Sequence, residues 1–214
     1  MKPVLAISAV ILVLAMALFR LHKESGLMEL ERCQNAVRQA KSWTVESFSR
    51  PESPNFVTFT TRNRVSCPEG YEYLYRTRTH DDVIMEQSTV QTHGVTYVEA
   101  VDGTWRQITA PLNPQILAEC GKGPAIVQQT VFNAILEVPR RTAGKIVEGQ
   151  LQSIEGAKCQ EWNVDYGNEW PQTAPFSVCI DTRTYLPRRI TFGYPSAEHT
   201  FTGWNSTIVD PPSL

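Results

Sequence analysis

An α+β fold is what this sequence predicts: one strongly curved antiparallel sheet with helices covering one side. Three observations carry that expectation. Many short runs rich in Thr, Val, Tyr and Phe are each bounded by Pro, Gly, Asn or Asp, the pattern of consecutive strands and turns. A helical insert, Leu112–Glu137, interrupts them at mid-chain. The tract Gly156–Pro212 then carries a cysteine-bracketed hairpin, a second hairpin and an aromatic closing strand. Strands, a short helical insert and more strands give an antiparallel sheet with helices held to one side. A sheet has two faces, and curvature lets a few helices cover one of them. A closed barrel with a peripheral helix is the other solution.

The elements follow in order. Met28, Leu30, Cys33, Val37 and Ala40 recur at about helical spacing, which predicts an amphipathic helix over Met28–Lys41. Strands are expected at Trp43–Ser49, Phe56–Val65, Tyr71–Thr79, Asp82–Thr92, Thr96–Val101 and Thr104–Ile108. His93-Gly94 marks a turn, and Asp102-Gly103 reads as a two-residue hairpin turn. Leu112–Glu119 and Ala125–Glu137 read as helices, the second with Pro124 just inside its start and Pro139-Arg140-Arg141 at its end. Strands resume at Lys145–Ile154, followed by the hairpin about Gly167–Pro171, then Ser177–Asp181, Leu186–Phe192 and Thr200–Asn205.

Symmetry about Gly167–Pro171 places Cys159 opposite Cys179, and Trp162 opposite Phe176. Opposed strand residues bring their Cβ atoms close enough for a disulfide. Cys67 and Cys120, both beside turn signals, form the second expected pair by elimination, leaving Cys33 as a free thiol on the first helix.

That cysteine usage implies an extracytoplasmic protein. The N-terminus agrees: Lys2 precedes the apolar run Val4–Phe19, and Ala15-Met16-Ala17 offers a cleavage site. Residues 1–17 are therefore expected to be a signal peptide, with an uncleaved anchor to about residue 22 as the alternative, and 28–212 a single domain. Arg20, His22 and Lys23 follow the run without a polar cleavage region, which favours the anchor. Cys33 follows Leu30-Glu31-Arg32, which is no lipoprotein acylation signal.

Formal net charge is −2 with no basic block, so nucleic acid is not an expected partner. Hydrophobic content of 42% with 9% aromatics excludes a disordered chain. No H-E-x-x-H, G-x-S-x-G or C-x-x-C occurs, and His22, His80, His93 and His199 are scattered. His80-Asp81-Asp82 reads as a polar turn, since adjacent strand positions face opposite ways. No enzyme activity, metal or cofactor is expected.

With the elements placed, Tyr97 with Asp102-Gly103-Thr104-Trp105, then Gly156–Trp162, Asp181–Ile190 and Thr200–Asn205, in that order, carry a resemblance to the bacterial outer-membrane lipoprotein carriers, the LolA/LolB/LppX-like family. The family implies an unclosed barrel lidded by helices, holding acyl chains in an apolar cavity. It also implies a lipid or acylated lipoprotein as ligand, an inner-membrane donor and an outer-membrane acceptor. Candidate cavity residues are then Trp43, Phe59, Trp105, Trp162 and Phe192 on strands, with Ile126, Val127, Phe132 and Ile135 on a lid helix. Arg62, Arg64, Arg76 and Arg78 are candidates for the arginine that latches such a lid. A membrane-tethered sensor or adaptor acting through protein contacts is the alternative role for the same fold.

Overall fold

The computed structural model describes residues 24–49, 58–68, 70–79, 82–100, 102–110, 114–141, 143–167, 175–193 and 196–213. The N-terminal segment 1–17 and the pair His80-Asp81 lie outside these residues.

A helix over 24–39, α1, opens the described chain. Its buried positions Leu30, Cys33 and Val37 fall three and four residues apart, so one stripe faces the core. The strands are β1 Ser42–Ser49, β2 Thr58–Ser66, β3 Gly70–Thr79, β4 Asp82–Thr92, β5 Val95–Glu99 and β6 Trp105–Ile108. A short helix α2, Pro114–Glu119, follows. Then α3 runs without a break through an α segment Ala125–Val127, a π-turn Gln128–Phe132, a second α segment Asn133–Glu137 and a closing 3-10 turn Val138–Arg140. Five strands complete the fold: β7 Lys145–Ile154, β8 Ala157–Asp165, β9 Phe176–Asp181, β10 Pro187–Phe192 and β11 Ala197–Thr202.

All eleven strands form one curved antiparallel sheet in the order β6-β5-β4-β3-β2-β1-β11-β10-β9-β8-β7, with β6 and β7 left as unpaired edges. The barrel is unclosed, as expected. Its centre is the pair β1–β11, where Val45 meets Phe201. Both are buried.

Alternation sorts the side chains onto two faces. Trp43, Val65, Phe201, Ile190, Val178, Trp162 and Ile146 point to the concave face, where they meet Leu30, Cys33 and Val37 of α1 and Val127, Val131 and Ala134 of α3. Gly26 of α1 lies against Ile146 and Trp162, and Gly123 before α3 lies against Val37. The two helices thus fill the trough of the sheet. The convex face carries cross-strand charge pairs instead: Arg62 and Arg64 with Glu72, and Arg76 with Glu86.

Three local expectations are corrected. In the β8–β9 hairpin Cys159 lies opposite Asp181 and Cys179 opposite Glu161, while Trp162 faces Val178. The cysteines are diagonal, not directly opposed, and the disulfide between them still forms with the Cα atoms 5.4 Å apart. At the β5–β6 turn Glu99 pairs with Trp105, and Ala100 N–H donates to Thr104 O across the loop. A two-residue Asp102-Gly103 turn would have paired Val101 with Thr104. The observed register differs by one residue, and such a slip moves a side chain to the other face. Pro124 also stands before the helix in extended conformation (ψ 138°), not within its first turn.

Cys67 and Cys120 form the second disulfide, and Cys33 is a buried free thiol. Burial pushes the proton affinity of that thiol up, with Glu29 adding to the effect, so it is an unreactive core group. Among the described residues no helix is long and apolar enough to cross a membrane, and no group of three metal-ligating side chains occurs.

Candidate functional site

Beneath the N-terminal end of α3 the helices and sheet leave a cavity of about 600 Å³, within the range of ligand pockets, roughly 300–1,000 Å³. Its roof is Glu119 of α2 with Pro124, Ala125, Ile126 and Gln129 of the α3 entry. Its floor is the concave face: Trp43, Val45 and Ser47 of β1, Asn63 of β2, Tyr71 and Tyr73 of β3, Thr89 of β4 and His199 of β11.

The roof is held from three sides. The Cys67–Cys120 disulfide ties the end of β2 to the turn before α3. Ala125 N–H donates to Glu119 Oε1 at 3.3 Å, and Gln128 Nε2 donates to Gly123 O at 2.7 Å. Farther along, the Tyr166 hydroxyl donates to Thr130 O, and the Arg38 guanidinium lies 5.4 Å from the centroid of the Phe132 ring. At and just before the π-turn, carbonyls receive side-chain donors: Thr130 Oγ1 on Ile126 O and Asn133 Nδ2 on Gln129 O. Such turns widen a helix locally and are frequent at functional sites.

The lining is mixed. Val45, Pro124, Ala125 and Ile126 are apolar, and Trp43 is fully buried with its indole N–H unpartnered. The Tyr71 hydroxyl donates to Asn63 Oδ1 at 3.2 Å. Burial raises the Tyr71 pKa to about 12, with Glu119 and Tyr73 adding to the shift. Burial also raises the proton affinity of Glu119, against the opposing Ala125 N–H. His199 is shifted the other way by burial, toward its neutral form. Its Nδ1 is 2.8 Å from Ser47 Oγ, and its ring stands edge-on to Phe192.

The sequence-predicted residues separate into groups. Trp43 and Ile126 line the cavity. Val127 and Trp162 are core, and Phe132 and Ile135 are half-buried against it. Phe59 sits on the concave face, 41% exposed, beside the Tyr75 ring. Phe192 packs on Phe176 and edges a separate, shallower hollow with Lys145 and Val147. Trp105 is on the convex face, in a groove with Arg62, Arg76 and Glu99. The one-residue register difference at its turn puts it there. Arg62, Arg64 and Arg76 are also convex and paired with carboxylates, so none of the three latches α3; the Arg78 side chain lies outside the described residues.

Sequence reasoning missed the polar half of the lining. Asn63, Tyr71, Tyr73 and Thr89 are inward positions of strands placed correctly from sequence, so alternation alone could have named them. Glu119 and His199 left no such signal, because loop and chain crossing bring them there.

No protein-family model matches the chain, and no curated protein matches it. Among solved structures, LprF from Mycobacterium bovis is similar over 88% of this chain and 97% of its own, at 12% identity and a TM-score of 0.57. The Mycobacterium tuberculosis lipoprotein LppX is similar over 87% of this chain and 99% of its own, at 15% identity and a TM-score of 0.53. The chain therefore has the fold of LprF and LppX, the unclosed sheet with helices in its trough that the sequence resemblance implied.

Proposed function

We propose that the protein is a lipid- or lipoprotein-binding carrier of the bacterial envelope that takes an acyl chain into the cavity beneath α3. The observation that carries this reading is the cavity itself. It opens between a helix secured at its entry by a disulfide and a sheet whose inward residues there include Trp43 and Val45. Burying an acyl chain is worth about 0.8 kcal/mol per CH₂, so a chain of ordinary length in water needs a host. The apolar side of this cavity, Trp43 with Val45 and Ile126, is suited to the chain, and the polar side to the group attached to it. Binding and release involve no bond making. The operating domain on this reading is 28–212, exported by the N-terminal segment, and the ligand is received from one membrane and delivered to another.

A tethered sensor or adaptor would need the N-terminal anchor retained, and intact mass of the N-terminus from the native host separates the two. The reading is tested by uptake of a fluorescent acyl probe. The native protein binds it saturably, and Ile126→Trp, which adds bulk to the roof of the cavity, weakens it at least about tenfold, equivalent to about 1.4 kcal/mol. Equal uptake by the two proteins refutes the assignment of this cavity.

A further inference from the structure

Resting on the lipid-binding reading, we infer that the cavity beneath α3 selects a lipid whose polar part is uncharged and hydroxyl-bearing, of the acylglycerol class, and rejects an anionic lipid of the same chain. The charge inventory of the lining carries this. Glu119 is a carboxylate in the roof, and no Lys or Arg lines the cavity among the described residues. Among the described residues Glu119 takes part in no ion pair; its hydrogen bond comes from the neutral Ala125 N–H.

The one basic wall group among the described residues is His199, which burial holds toward its neutral form, so it supplies no compensating positive charge. Arg62 and Arg64, which flank the lining residue Asn63 on β2, face the convex side and are committed to Glu72. A carboxylate or phosphate entering this space meets no cation: it either shares the space with the Glu119 carboxylate, where repulsion is stronger than at a surface and salt screens it less, or forces a proton onto Glu119, whose proton affinity burial already raises.

An uncharged hydroxyl or ester group meets a different wall. Tyr73, Gln129 and Asn63 offer neutral donors and acceptors on the polar side. Buried polar groups left without partners are costly, and a hydroxyl or ester oxygen can both give and accept here without importing charge. Glu119 itself can accept a hydroxyl proton in a hydrogen bond.

The test compares 1-monooleoylglycerol with oleate, which share one chain, as competitors for the fluorescent acyl probe at neutral pH. Native protein is expected to favour the monoacylglycerol. Glu119→Gln, which keeps the acceptor for Ala125, is expected to lower that preference about tenfold, equivalent to about 1.4 kcal/mol, mainly by tightening oleate. Gln129→Glu, adding a second carboxylate to the roof, should raise the preference and keeps the test open if Glu119→Gln fails to fold. An unchanged preference in both variants, or oleate favoured by the native protein, overturns the inference while leaving lipid binding intact. Binding of neither lipid overturns the carrier reading itself.

Discussion

Cys67 and Cys120 lie 5.8 Å apart at Cα, joined by a disulfide that fixes the end of β2 to the turn leading into α3. On the β2 side Cys67 N–H donates to Lys41 O, and Lys41 N–H donates to Asn205 Oδ1. The entry to the roof is thus anchored to the middle of the sheet through three chain segments distant in sequence.

Replacing both cysteines, Cys67→Ser with Cys120→Ser, should therefore do two things. Opening a loop whose ends are separated by 53 positions in sequence costs about 4 kcal/mol of unfolded-state constraint, read as a lower urea midpoint. Hydrogen exchange should rise first at Ala125–Val127. The Cys159→Ser and Cys179→Ser pair, spanning 20 residues on the β8–β9 hairpin, should cost about 3 kcal/mol and leave exchange in α3 unchanged.

Gly123→Ala should disturb the same entry by packing. Gly123 has φ of +83°, and a Cβ there would stand 2.0 Å from Val37 Cγ1 of α1. Left-handed backbone plus an overpacked contact predicts a loss of about 2–4 kcal/mol. Adding Val37→Ala should restore part of it, since the neighbour can then give way. Denaturation of the single and double variants measures that coupling.

Asp181 is buried and fully engaged. Burial opposes its ionisation, but N–H donors from Thr184 and Arg183 and the Arg188 guanidinium outweigh that and hold its pKa below the usual carboxylate range. A depressed carboxylate contributes stability above its unfolded value, near pH 4, that is lost as pH falls toward the folded value. Asp181→Asn should remove that acid-side slope and cost about 3 kcal/mol by leaving Arg188 unpaired. Urea titrations across pH are the check.

His199 predicts a slope in the next pH window up. Burial depresses its pKa, so below about pH 6.5 the unfolded chain binds a proton that the folded chain resists. Stability should fall as pH drops through that window, and His199→Gln should flatten the fall. A native protein with no such slope would mean the imidazole is solvated.

Most of the architecture was legible in the sequence because its signals are local. The alternation in Tyr71–Thr79, the 3.6 spacing of Leu30, Cys33 and Val37, and the cysteine pairs each depend on near neighbours or on loop chemistry. Register was less legible. A hairpin centre inferred from symmetry missed the Cys159–Asp181 pairing, and a two-residue turn at Asp102-Gly103 turned Trp105 to the wrong face. The candidate site was the least legible part. Large aromatics were expected to line it, yet Trp162 is buried in the core by α1, and the lining instead includes Tyr71, Asn63, Glu119 and His199. Whether an inward residue meets a helix or empty space depends on where α3 ends, which no local pattern encodes.

The central claim is that the space beneath α3 holds a lipid. The most direct measurement is native mass spectrometry of the full chain exported to a bacterial periplasm and purified without detergent, with the bound material extracted and identified. The account predicts a lipid adduct near one per protein, reduced in Ile126→Trp and uncharged in its polar part. A clean apo mass that persists after lipid is offered would contradict it.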